Sequence, residues 1–184
     1  MKYTFFILFS GIVILTSCMS NRDRMVMRIT ELEKKYSNLP MQDTNQVKEI
    51  INAYQNFAQR YPEDSMAAEY LYRAAGACLN DRRLIQSIEL YSYVENVYPN
   101  TYRAPYSLFS RAFIFENYIK DFHQADRLYL YFIKKYPKHE MNSAAVLARE
   151  YVGRSIKEML DDMKTKELRD TVIMFKPISS KGSL

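Results

Sequence analysis

The sequence predicts an all-α fold, a helical solenoid of antiparallel helix pairs with a C-terminal capping helix. Three observations predict it. An aromatic-rich helical run closing on Tyr-Pro occurs three times, over residues 53–62, 90–99 and 128–137, with the prolines 37 and then 38 residues apart. A period of that length marks a stack of helix pairs. Between the joints, apolar residues recur at spacings of three and four, the helical period. Only four glycines are present, Gly11, Gly76, Gly153 and Gly182, too few to build a framework of β-turns.

Taken in order, residues 25–36 form a short amphipathic helix with Val26, Ile29, Leu32 and Tyr36 on one side, stopped at Asn38-Leu39-Pro40. A helix capped by Asp43 or Thr44 follows and runs to Arg60, with the stripe Val47, Ile50, Ile51, Tyr54, Phe57, Ala58 and Tyr61. Pro62 ends it. Asp64 or Ser65 caps a helix over 66–79, whose small residues Ala67, Ala68, Ala74 and Ala75 permit close approach. The return helix, 84–97, buries Leu84, Ile88, Tyr91, Val94 and Val97. Pro105 sits in the first turn of the next helix, where its missing N–H is tolerated. That helix reaches Tyr118, and its partner ends near Lys135. A further helix covers 141–152, Gly153 permits a turn, and Ser155 caps a last helix over 156–168. The sequence reading turns Ile156, Met159, Leu160 and Met163 of that helix to one side, as a cap.

Residues 1–17 read as a removable leader, with one lysine and then an apolar run too short to span a bilayer. The run ends in Leu15-Thr16-Ser17-Cys18, which resembles the lipobox of bacterial lipoproteins. That resemblance implies cleavage before Cys18 and lipidation of Cys18, with multiple acyl chains giving stable anchoring. The alternative is an ordinary secretory peptide cut elsewhere. The domain plan is therefore a leader over 1–17, a lipidated tether and short helix over 18–43, a repeat domain over 44–168 and a flexible tail over 169–184.

The repeats themselves resemble tetratricopeptide repeats. The positions corresponding to that family's early alanine are Ile50, Ser87 and Ala125; its aromatic falls at Tyr54, Tyr91 and Tyr129, and its packing residue at Phe57, Val94 and Phe132. Leu71 with Ala75, and Leu108 with Ala112, match the large–small pair of the first helices. Two of the three early-alanine positions depart from the pattern, and the period exceeds the family's roughly 34 residues. The longer form is similar to a bacterial envelope subgroup that includes the repeat lipoprotein of the outer-membrane β-barrel assembly machinery and the periplasmic partner of the Tol-Pal system. The closest overall likeness is to small Bacteroidota tetratricopeptide lipoproteins, over residues 44–165. The resemblance implies a chain anchored in the outer membrane, facing the periplasm, that holds another envelope protein or peptide in a concave groove. Carried over position by position, it puts Tyr72, Tyr106, Phe109 and Phe113 in that groove. The lysine–asparagine clamp of chaperone-binding members is absent, so an apolar or extended peptide is expected in place of a free carboxylate.

Chemistry is sparse. Net charge is +5 with no long basic tract, which argues against nucleic acid. Apart from Cys18 the one cysteine is Cys78, so neither a disulfide framework nor a cysteine-rich zinc site is expected; Cys78 reads as a buried, inert thiol. His123 and His139 have no ligand-spaced companions and read as solvated residues. Asp161 and Asp162 are adjacent on a helix and point about 100° apart. No phosphate loop or nucleophile elbow occurs. The sequence thus predicts no catalysis, no cofactor and no metal. It predicts a protein-interaction scaffold, with a self-associating structural lipoprotein as the alternative, and residues 172–175 could lie in the groove themselves.

Overall fold

The computed structural model describes residues 19–37 and 44–174. The leader, Cys18, the 38–43 connection and residues 175–184 lie outside that range. The described chain is helical with no strand among its described residues. Its helices are α1 (Asn21–Ser37), α2 (Thr44–Arg60), α3 (Ala67–Asn80), α4 (Leu84–Val97), α5 (Arg103–Ile114), α6 (Phe122–Lys135), α7 (Asn142–Tyr151) and α8 (Ile156–Met174), with a π-helical turn Phe115–Ile119 after α5. Neighbours in sequence pack on one another: α1 on α2, α2 on α3, α5 on α6, α6 on α7. This is the sequential packing of a tetratricopeptide-like solenoid. The chain divides into two compact units, with the division inside α4 between Val94 and Glu95.

The three joints share one geometry. A helix cannot continue through proline, which lacks the N–H and clashes with the preceding turn. Instead the tyrosine carbonyl accepts an N–H three residues on: Tyr61 from Asp64 (3.1 Å), Tyr98 from Thr101 (3.1 Å), Tyr136 from His139 (3.1 Å). A second bond of the same span follows each, Ala67 to Asp64, Ala104 to Thr101 and Asn142 to His139. Two tight turns thus reverse the chain and start the next helix.

In the first unit the seam between α2 and α3 is aromatic. Tyr54 stacks on Tyr70 at 5.4 Å, and Phe57 meets Tyr70 edge-on at 4.8 Å. The Tyr54 hydroxyl donates to Glu33 of α1 (2.9 Å), and Arg73 bridges Glu33 to the buried Glu69. Every repeat position read from the sequence is buried: Ile50, Ser87 and Ala125, Tyr54, Tyr91 and Tyr129, Phe57, Val94 and Phe132. Serine is accommodated at position 87 because its hydroxyl donates to the Ala75 carbonyl of α3 (2.8 Å). Cys78 is fully buried, and burial pushes its thiol up to about 11. Helix α1 starts at Asn21, four residues before the expected start: the Ser20 hydroxyl accepts the Asp23 N–H (3.0 Å), and Arg22 pairs with Asp64 (2.6 Å).

In the second unit the core joins Leu108 and Ala112 of α5, Leu128, Tyr129 and Phe132 of α6, and Ala145 of α7. Glu95, buried at the end of α4, accepts from Arg111 of α5 (2.5 Å) and Lys135 of α6 (3.2 Å). One carboxylate therefore ties three helices. The last turn before α6 is π-helical, with the Asp121 N–H reaching back to the Phe115 carbonyl (3.0 Å) and Lys120 left-handed at φ 65°. Gly153 turns at φ 77°, as the sequence suggested, and a Cβ there would press on Phe122 at 3.1 Å. Ser155 and Glu158 cap α8 reciprocally.

The last helix differs from the sequence reading in two ways. It runs on to Met174, past the expected end at residue 168. Its Leu160 and Met163 are exposed. The helix is tied through Asp162 to Arg154 and through Lys166 to Glu150 of α7, by ion pairs that are themselves partly exposed. Met159 and Asp162 are half-buried, while Leu160 and Met163 stand in solvent.

Two outcomes follow for stability. Glu95→Ala leaves two cations without their carboxylate and should destabilise the protein by roughly 3–5 kcal/mol in urea unfolding. Lys120→Gly relieves a left-handed side-chain position and should stabilise it by about 0.5–1 kcal/mol in the same assay.

Candidate functional site

The four residues expected in a groove fall into two sets. Tyr72 belongs to α3 of the first unit, half-buried and edge-on to Tyr91 at 5.2 Å. Tyr106, Phe109 and Phe113 belong to α5 of the second. Their spacings of three and four place them along one side of that helix.

The three do different things. Phe109 leans into the core, edge-on to Tyr129 (5.5 Å) and Phe132 (5.8 Å). Tyr106 donates its hydroxyl to Glu140 and packs on His139 at 5.1 Å. Phe113 is 41% exposed and lies beside Tyr118 at 6.1 Å. The stripe also has a member the sequence reading passed over. Tyr102, four residues before Tyr106, is 62% exposed, with the Arg103 guanidinium 4.6 Å from its ring. Its spacing was the available signal, but its place in the turn before α5 hid it. The result is a strip of rings that is apolar, half-exposed and crossed by a cation at one end.

His139 corrects the sequence reading, which left it solvated. It is half-buried among Tyr106, Phe132 (5.7 Å) and Tyr136 (6.3 Å). Its Nδ1 accepts the Met141 N–H at 3.1 Å, so that nitrogen carries no proton, and the ring closes the turn that leads into α7. Asp64 does the same one joint position into the first unit, accepting the Met66 N–H at 2.9 Å. Arg22 beside it holds the Asp64 carboxyl below the usual range. Both residues stand two places after a joint proline, which is the signal the sequence carried. His123 is exposed, in line with its reading.

The first unit has a cleft of about 400 Å³, lined by Gln55, Ala58 and Gln59 of α2, Leu71 of α3, and Gln86, Glu89, Leu90 and Tyr93 of α4. It does not include Tyr72. Among the described residues, no three or more His, Cys, Asp or Glu side chains come together as metal ligands. Asp162 is engaged with Arg154 and forms no acid–base pair with Asp161. No described helix is long and apolar enough to cross a membrane.

No protein-family model matches the sequence, and no curated protein matches it. The functional reading therefore rests on the residues themselves.

The bond that His139 accepts from Met141 sets an outcome. His139→Ala should lower stability by about 1 kcal/mol, and His139→Asp, which restores an acceptor, should recover most of the loss. Equal losses in thermal unfolding of the two variants would show that the ring stack, not the acceptor, matters there.

Proposed function

We propose that this chain is a non-enzymatic interaction scaffold of the cell envelope, held to the membrane by lipid on Cys18. It takes a protein or peptide partner on an aromatic helix face. One observation carries this reading: Tyr102, in the turn before α5, and Phe113 on α5, a helix of a repeat architecture, present rings to solvent with the half-buried Tyr106 between them, while Phe109 packs the helix on the neighbouring core. Aromatic side chains supply large contact area at low entropic cost, which suits a recognition surface. The leader and lipobox-like run support an outer-membrane anchor with the folded part facing the periplasm. A role in outer-membrane protein assembly or envelope organisation follows from the resemblance to repeat lipoproteins.

The second reading is self-association. Val146 and Leu147 of α7 and Leu160 and Met163 of α8 are exposed apolar side chains near the end of the second unit. Such a bare end is what a second copy could cover.

A photo-crosslinking side chain at Phe113, with one at the exposed Ile85 as control, tests the first reading in cells. One recurrent partner should be captured at position 113 and lost when Tyr102→Ala and Phe113→Leu are combined in a chain crosslinked from position 110. Crosslinks only between copies of this chain would favour self-association, and capture equal to that of the control would dismiss the aromatic face. Cys18→Ser should move the protein from the membrane fraction to the aqueous one; an unchanged membrane pool would remove the lipid anchor.

A further inference from the structure

The cleft of the first unit joins polar side chains to the edge of the core. Gln55 and Gln59 stand one turn apart on α2, and Gln86, Glu89 and Tyr93 follow at spacings of three and four on α4. Among the described residues, the three amides and the Glu89 carboxylate form no hydrogen bond or ion pair. Ala58, Leu71 and Leu90 make an aliphatic floor. Tyr93, 51% exposed, presents its ring at the rim.

We propose that this cleft is a binding site for a neutral saccharide. Each glutamine offers an acceptor and two donors in one plane, and a hydroxyl both donates and accepts, so amides and sugar hydroxyls satisfy each other. The Glu89 carboxylate accepts from two neighbouring hydroxyls at once. The Tyr93 ring and the aliphatic floor take the C–H faces of the sugar. The lining contains no lysine or arginine, so phosphates, sulfates and uronic acids gain nothing and meet a carboxylate. A purely apolar ligand would strip water from four polar groups and return no hydrogen bonds. An extended peptide is usually read through a sheet edge or through alternating side-chain sockets; the floor here is one continuous patch. The volume lies within the range of small-molecule sites.

The site is independent of the aromatic face on α5, and so is its test. Saturation-transfer NMR on the full chain would use maltose, cellobiose and N,N′-diacetylchitobiose as neutral probes, with galacturonic acid as the charged control. At least one neutral probe should bind, galacturonic acid should not, and Tyr93→Ala and Gln59→Ala should each raise Kd by about fivefold to tenfold. Both residues are exposed, so a circular dichroism spectrum matching the parent verifies folding. Three results would overturn the proposal: no transfer from any neutral probe, binding unchanged in both variants, or a lysine-containing peptide binding the cleft with an affinity lost in Glu89→Gln while the sugars do not bind.

Discussion

The constraint on which the structure depends is the proline that follows each closing tyrosine. It forbids the next helical hydrogen bond, and the chain answers each time with the same two tight turns. Because the turns are alike, the helix that follows leaves each joint in an equivalent local geometry. Its apolar residues then fall where the preceding helix left a gap. The buried Leu71 and Ala75 of α3, Leu108 and Ala112 of α5 and Ala145 of α7 are consequences of that phase. The side-chain acceptor two places after the proline is part of the same device, supplied by Asp64 in one joint and His139 in another.

Charge is used sparingly and locally. Among the described residues of the second unit, Glu95 is the one acidic group so deeply enclosed, and it is enclosed with two cations, Arg111 of α5 and Lys135 of α6. Burying a carboxylate is tolerable only when its lone pairs are answered. In the first unit Glu33, Arg73 and Glu69 form a chain that also takes the Tyr54 hydroxyl, so the aromatic seam and the ionic chain order each other. Burial, and then the bond to Glu33, pushes the Tyr54 phenol well above its ordinary value, so it stays a donor.

The helices and the repeat core were legible because both follow from period and proline, which are local. Residue pairs that meet across elements were not. Glu95 looks like a surface charge in a helical run until Arg111 and Lys135, 16 and 40 residues on, close over it. His139 has no ligand-spaced neighbour, yet three rings from α5, α6 and the joint surround it. Leu160 and Met163 read as one side of a capping helix, and nothing in the period alone says that this side stays in solvent. Of the site, the sequence showed the rings of α5 but not their division of labour, since Phe109 and Phe113 differ only in what lies beyond them. The glutamines of the cleft carried no signal, being ordinary helix formers.

Cys78 illustrates what enclosure does for a lone sulfur. Disulfide exchange proceeds through the thiolate, and a group whose pKa lies near 11 presents that form in only about one molecule in a thousand at pH 8. The sulfur also has no path to solvent in the folded chain. This sulfur can therefore pass through oxidising surroundings without joining to that of another copy, provided that folding is complete before the oxidant arrives.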